Sequence, residues 1–522
     1  NAAEQLVQAE TLWAMLSPDD YPVAAFDEAW TNVVLFSEHT WGAITSKSDP
    51  DGDLAVSQWQ VKQGFALDAA RQAKELTDKA VSGLKLQEGP VRAFLLLNTT
   101  SWPRTELVKL PAEWQLSGLG VFGPDGKQIL TQKLSTGELA FLAQGVPPFS
   151  AQRYTLQKKK AKREKAGVAL DGYQLANEQL SLKIDETTGA ISSLRYQGIP
   201  YDLVDRNNEF GFNEYWYTGL NASNPQKSSA AKIRVKENGP LVASLLIESE
   251  APGARHLSRE IELAAGLDYV RLTNTVDKIK VLEDENVRFS FPFQLPKSQL
   301  RVDLAWAVMR PELDQLKGAN KNFFCAQHWV DFTNQDGGLT WANLDAPLIE
   351  IGGMYGQNWM GDLRTRPWIK TYEPSNLLFS WVMNNAWFVN YKGYQEGPAR
   401  FRYAIRPHKT FNTAEAKQFG IGLSQPLIAL PVSEEQGSIP SLFTLDGSTS
   451  VMATSCKPAG DGKGWVVRLF NTSDEEATAA LNWSGEKPKT LYRSNAKESI
   501  GEPLAPELSL GAWEILTLRV MP

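Results

Sequence analysis

The chain has 522 residues, 42% of them hydrophobic and 22% charged, which is an ordinary globular composition at a length that implies several domains. Its formal net charge of −7 and the lack of a clustered basic face exclude nucleic acid as the main partner. No apolar run reaches the roughly eighteen residues that cross a bilayer, and no basic segment followed by an apolar core opens the chain, so neither a membrane span nor a signal peptide is expected.

The chain opens at Asn1, already inside a helical pattern, and reads as part of a longer precursor. Leu6, Ala9, Leu12, Trp13 and Leu16 recur at helical spacing until Ser17-Pro18-Asp19-Asp20 stops them. A second helix carries Phe26, Trp30, Val33 and Val34 on one face and runs toward Gly42 as its terminator. A third pattern extends from about Leu54 to Leu84, so residues 1–88 are expected to form a three-helix bundle.

From Val91 onward, short runs of strand length alternate with Gly, Pro, Asn and Asp. Ala93 to Leu97, Glu106 to Leu110 and Ser150 to Leu156 predict a small β-domain over 89–165. Its end is marked by the charged run Lys158 to Lys165, read as a solvated linker or strand edge. Residues 166–425 are dense in strands, among them Leu180 to Ile184, Leu241 to Ser249, Tyr269 to Val276 and Phe289 to Phe293, and helical patterns are nearly absent there. They predict a large antiparallel β-sandwich, followed over 426–522 by a last β-sandwich ending in Trp513 to Val520. The fold class is therefore multidomain and mainly β, with helix confined largely to the first 88 residues.

Chemistry is sparse. Cys325 and Cys456 lack partners at short spacing and are expected to be two separate buried thiols. Sequons begin at Asn98, Asn221, Asn471 and Asn482 and do not settle the compartment. Of four histidines, His256, His328 and His408 have no second ligand nearby and are assigned structural or solvent-facing roles. His39 follows an amphipathic helix, beside Glu38, Trp41 and Gly42. A lone histidine is more often a satisfied residue than a ligand, since a transition-metal site needs three or four donors. No catalytic carboxylate pair can be picked from sixty Asp and Glu, and no complete active site is legible.

Taken in order, however, several segments resemble the family 38 α-mannosidases. Leu35-Phe36-Ser37-Glu38-His39-Thr40-Trp41-Gly42 resembles the helix-end motif that delivers a histidine to the catalytic zinc. Leu97-Asn98-Thr99-Thr100-Ser101-Trp102-Pro103-Arg104 resembles the opening of the first β-domain. Ser258-Arg259-Glu260-Ile261 and Leu272-Thr273-Asn274-Thr275-Val276-Asp277 resemble a strand pair of the large sandwich. Ser380 to Trp387, Gln395-Glu396-Gly397 and Phe401-Arg402-Tyr403 resemble a late signature.

The resemblance implies an N-terminal α/β barrel, absent here, that holds the nucleophile and the other zinc ligands. It implies no catalytic residue in this chain, His39 as one ligand of a divalent metal (zinc) in the intact enzyme, and Glu38 and Thr40 as contacts to sugar hydroxyls. It also implies a loop aromatic facing the sugar, for which Tyr215 in Gly211 to Gly219 is the candidate. The motif departs from the family's His-Asp-x-x-x-Gly followed by Ser or Thr, because Thr40 follows the histidine here. The expected function is retaining hydrolysis of α-mannosides or related glycans by the intact polypeptide. The expected partners are a glycan and the barrel, with an oligomer left open. The competing reading is a non-catalytic carbohydrate-binding or structural β-assembly.

Overall fold

The computed structural model describes residues 2–39, 43–87, 89–114, 116–158, 167–219, 224–356, 368–385, 391–485 and 490–522. Among these, four α-helices occur: α1 (Ala2–Leu16), α2 (Val23–Phe36), α3 (Asp53–Val81) and α4 (Thr413–Ser424). The remaining regular structure is almost entirely antiparallel strand, so the fold is mainly β. The chain divides into two units, each built from separated stretches of sequence.

The first unit comprises Asn1–Glu38, Gln63–Glu164 and Asn412–Pro522. Helical spacing brings Leu6, Ala9, Leu12 and Trp13 of α1 against Phe26 and Ala29 of α2 and Ala73, Leu76 and Ala80 of α3. Trp13 Nε1 donates to the Leu76 carbonyl at 3.0 Å. The strand Ala93–Asn98 is buried at all six positions, and its alternation explains how. Ala93, Leu95 and Leu97 join the helical core, while Phe94 and Leu96 enter a second core with Phe141 and Tyr154. A third core, with Phe443, Val467, Leu469 and Leu518, lies within the terminal three- and five-stranded sheets.

The second unit comprises His39–Lys62 and Lys165–Phe411. A nine-stranded and a six-stranded sheet share one core, with Ile261, Leu272 and Tyr403 from the former meeting Phe289, Phe291 and Leu378 from the latter. The strand Glu285–Pro292 is buried at every position because it pairs on both sides, with Glu214–Gly219 and Leu377–Asn384. Its Arg288 is fully buried and is matched by Glu350, with Arg288 Nη2 3.2 Å from Glu350 Oε1 and Arg288 Nη1 3.1 Å from Thr218 Oγ1. A four-stranded sheet over 168–196 completes the unit.

Several sequence expectations are corrected. Helix does lie largely within the first 88 residues, and the one addition among the described residues is α4, which follows the large sandwich and is capped by Asn412, whose side chain accepts from Glu415 N. Residues past 426 do not all belong to the last sandwich, since Ile428–Val432 pairs with Ala93–Leu97 of the small β-domain. Helix α2 ends at Phe36 rather than running to Gly42, and Val34 is 67% exposed rather than core-facing. Cys325 sits exposed on a short edge strand, whereas Cys456 is buried. Of the charged linker only Lys158 lies within the described residues.

Candidate functional site

Helix α2 stops at Ser37, whose backbone N–H donates back to the carbonyls of Val33 and Val34. Glu38 and His39 follow outside the helix, and both are exposed. Glu38 closes the first stretch of one unit and His39 opens the first stretch of the other. Thr40, expected to contact sugar, lies outside the described residues, as do Trp41 and Gly42.

An exposed imidazole is a suitable zinc donor, and in this respect His39 fits the implied metal. One donor is not a site, however. Among the described residues no group of three or more His, Cys, Asp or Glu is arranged to hold a metal ion.

Tyr215 is corrected from a cleft aromatic to a core residue. It is fully buried in the strand Glu214–Gly219, and its hydroxyl donates to the Pro252 carbonyl at 2.6 Å. Period-two alternation drives it inward against Phe289. Two residues on, Tyr217 is half-buried against Gly253 at the strand end, where burial and the neighbouring Glu285 carboxylate hold its hydroxyl protonated.

Two of the segments that carried the resemblance, the paired strands holding Arg259 and Asn274, meet the turn before Tyr215. Asn213 takes a left-handed backbone, φ 61°, and exchanges two amide hydrogen bonds with Asn274, at 3.1 and 2.7 Å. Arg259 donates to the carbonyls of Asn213 and Thr188, at 2.9 and 2.6 Å. Burial brings the Arg259 guanidinium down to about 10, against the opposing pull of the Glu214 carboxylate. These residues shape a loop inside the sandwich.

The other histidines are tied to carboxylates or exposed. His328 Nδ1 lies 3.1 Å from Asp303, His408 Nε2 lies 2.7 Å from Asp331, and His256 is exposed beside Glu248. A shallow recess between Asp205, Asn208, Gln294 and Asn376 holds none of the predicted site residues.

Around Asn385, whose amide the sequence reading expected to satisfy backbone groups, gather charged residues that the reading did not single out. Asn385 is buried, and its side-chain amide donates to the carbonyls of Val281 and Glu283, at 3.0 and 2.9 Å. Its side-chain oxygen accepts from Glu285 N at 2.6 Å. Lys278 and Glu285 form a buried pair at 2.6 Å below this turn, and burial raises the Glu285 carboxyl despite that partner. Lys47 reaches the same turn, 2.8 Å from the Asn385 carbonyl and 2.9 Å from Asp284. The only sequence signal was the Asn384-Asn385 pair; Lys47 sits in an unremarkable polar loop.

Comparison with known proteins agrees with this architecture. Residues 175–346 match the Glycosyl hydrolases family 38 C-terminal domain, and residues 450–518 match the Glycosyl hydrolases family 38 C-terminal beta sandwich domain. A putative mannosylglycerate hydrolase of Halalkalibacterium halodurans is 23% identical over 376 residues, covering 64% of this chain and 39% of that protein. The structure of an alpha-mannosidase from Enterococcus faecalis superposes with a TM-score of 0.75 at 16% identity, covering 99% of this chain and 66% of that one. A second glycosyl hydrolase family 38 structure from Enterococcus faecalis gives 0.74, at 16% identity and 99% and 69% coverage. The chain thus spans about two fifths of its sequence relative and about two thirds of the two structures. Over residues 175–346 and 450–518, therefore, the chain carries segments that match the C-terminal domains of glycosyl hydrolases family 38.

Proposed function

We propose that this chain is the C-terminal portion of a retaining, metal-dependent glycoside hydrolase acting on α-mannosides or related glycans. The observation that carries the reading is the pair of family 38 domain matches, over 175–346 and 450–518, on a fold that superposes along 99% of the chain. The similar proteins named for mannosylglycerate and α-mannoside hydrolysis narrow the substrate class.

In this reading the nucleophile and general acid lie outside the chain, held about 5 Å apart as a retaining glycosidase requires. A bound divalent ion, most simply zinc, would orient sugar hydroxyls and favour distortion toward the oxocarbenium-like transition state. The part of this chain is to present the His39 imidazole as one donor, with Glu38 beside it to orient the ring or bind a hydroxyl. Exposure of His39 beyond the end of α2 supports that role.

The test is His39→Ala in the full-length native protein, followed by elemental analysis and kinetics on an aryl α-mannoside. Loss of stoichiometric zinc together with loss of turnover is expected. Retention of both removes His39 as a ligand and leaves the non-catalytic, glycan-binding reading of these domains.

A further inference from the structure

The paired strands Glu285–Pro292 and Leu377–Asn384 end, away from Asn385, in loops that enclose a recess of about 190 Å³ together with the turn after Val204. Three stretches of chain wall it, and their backbones are tied to one another. Asp205 N donates to the Pro292 carbonyl at 3.1 Å, Gln294 N to the Leu203 carbonyl at 2.9 Å, and Phe293 N to the Asn376 carbonyl at 2.8 Å. The Asn376 side chain adds a cross-tie, donating to the Leu295 carbonyl at 2.6 Å and accepting from Ser298 Oγ at 2.7 Å. Phe293, Leu295 and Leu377 line the recess and are themselves buried, so its walls belong to the sandwich and stand before any ligand arrives.

The polar side chains of the lining are only partly used. Asp205 and Asn208 each spend one oxygen on the backbone N–H two residues on, Asn207 N at 3.0 Å and Phe210 N at 3.1 Å. These Asx turns fix both side chains and leave Asp205 a second carboxylate oxygen and Asn208 its amide nitrogen. Ser375 Oγ accepts from Leu377 N at 3.2 Å and keeps its own proton to donate. Gln294 is exposed, and among the described residues its side chain takes part in no hydrogen bond. Acceptor and donor are thus both on offer, which is what a hydroxyl needs, since it gives one bond and takes others. The described lining holds one carboxylate and no cationic side chain, and this disfavours a phosphate or carboxylate ligand. Its size falls below the roughly 300–1,000 Å³ of sites that enclose drug-sized ligands, so a single ring is the limit.

We propose that this recess binds one neutral sugar ring, with Asp205 and Gln294 holding hydroxyls while Pro296 and Leu377 meet the apolar C–H face. The site lies wholly within the sandwich unit and uses neither His39 nor a metal. A second point of attachment of this kind raises retention of a glycan of several residues without taking part in bond cleavage.

The experiment titrates methyl α-D-mannopyranoside into the full 522-residue chain, in the presence of a chelator, and follows saturation-transfer difference NMR beside melting temperature. Binding with a dissociation constant on the order of 1 mM is expected. Gln294→Ala should weaken it roughly 3- to 10-fold, and Asp205→Asn roughly tenfold or more, with unchanged melting temperatures. Asp205→Asn retains an oxygen for the Asn207 N–H, and Gln294→Ala breaks no side-chain bond among the described residues, so both variants should fold. The corresponding uronic acid should bind more weakly than the neutral mannoside, because it faces the Asp205 carboxylate. No saturation transfer at roughly 10 mM sugar overturns the proposal. So does wild-type affinity in either folded variant, or displacement of the mannoside by an equal concentration of glycerol, which would mark an unselective polyol contact. Turnover is not measured, so the outcome is independent of the hydrolase reading.

Discussion

Buried asparagines act as brackets at strand corners throughout this protein. Asn98 is fully buried, and its amide donates to the carbonyls of Trp102, Val146 and Pro147 at 2.9, 3.0 and 2.9 Å, while its oxygen accepts from Thr100 N. Asn471 repeats the device with Glu475 and Gly511, at 2.7 and 2.9 Å, and Ser473 N. The Thr or Ser two positions on is what makes each of these a sequon, yet the amide nitrogen that a glycan would occupy is already spent. Folded protein expressed through a glycosylating secretory route should carry no glycan at Asn98 or Asn471 by glycopeptide mass spectrometry. Occupancy at either site would contradict the burial. Asn98→Ala orphans several carbonyls at once and should cost at least about 2 kcal/mol in denaturant unfolding.

Glu10 on α1 makes the opposite kind of statement. It is buried, accepts from Trp30 Nε1 at 3.0 Å, and has its pKa raised by burial, against the lowering effect of Lys457, the Trp30 hydrogen bond and Arg468. Glu498 and Tyr21 also face it, and Lys457 is itself paired with Glu498 at 2.6 Å. A carboxyl whose folded pKa lies above its unfolded value binds its proton more tightly in the folded state. Its contribution is complete at pH below the unfolded value and declines as pH rises through the folded one. Glu10→Gln mimics the protonated form, so its melting temperature relative to wild type should improve as pH rises above the ordinary glutamate range and level off once the folded carboxyl is ionised. A difference that stays flat or falls as pH rises would show that the ion pairs, not burial, govern the group.

At the scale of elements, α4 shows how a short helix without a strong apolar stripe is held. Asn412 caps its first turn, and Arg104 reaches its other end, donating to the carbonyls of Gly422 and Gln425 at 2.7 and 3.0 Å while pairing with Glu106 at 2.7 Å. Gly422 lets the guanidinium approach closely, since a Cβ there would stand 3.1 Å from its carbon. Asn412→Ala should cost about 1 kcal/mol, as cap losses do. Arg104→Ala removes a largely buried ion pair with Glu106 and two bonds to helix carbonyls and should cost about 3 kcal/mol or more. Urea midpoints of the two variants check the order, and equal costs would remove Arg104 as the principal tie. The signal for α4 was present as Asn412-Thr-Ala-Glu415, a capping pattern, but Gly420 and Gly422 mask the helical period behind it.

For the whole molecule, the prediction is functional. The purified 522-residue chain should turn over an aryl α-mannoside negligibly, because the proposed reading places nucleophile and acid elsewhere. Robust turnover by the pure chain, in a steady-state assay with added zinc, would show that the chemistry resides in these residues after all.

What the sequence determined by itself was local. Strand runs such as Leu180–Ile184, and the switch from helical spacing to alternation at Val91, are properties of neighbouring side chains, because periods of 3.6 and 2 sort residues onto faces without reference to distant chain. The segment around His39 was read by resemblance, which likewise rests on adjacent residues. Only the tertiary structure decided which strands pair: Ile428–Val432 returns to Ala93–Leu97 across more than three hundred residues, and Gly397–His408 lies between Val270–Lys278 and Gly337–Asn343. It also decided that Tyr215 is core rather than cleft, that residues 39–62 belong with the sandwich, and that Lys47 meets Asn385. Alternation tells which face of a strand is buried but not what covers it. That partner is chosen by contacts whose closure spans hundreds of residues and leaves no periodic trace in the sequence.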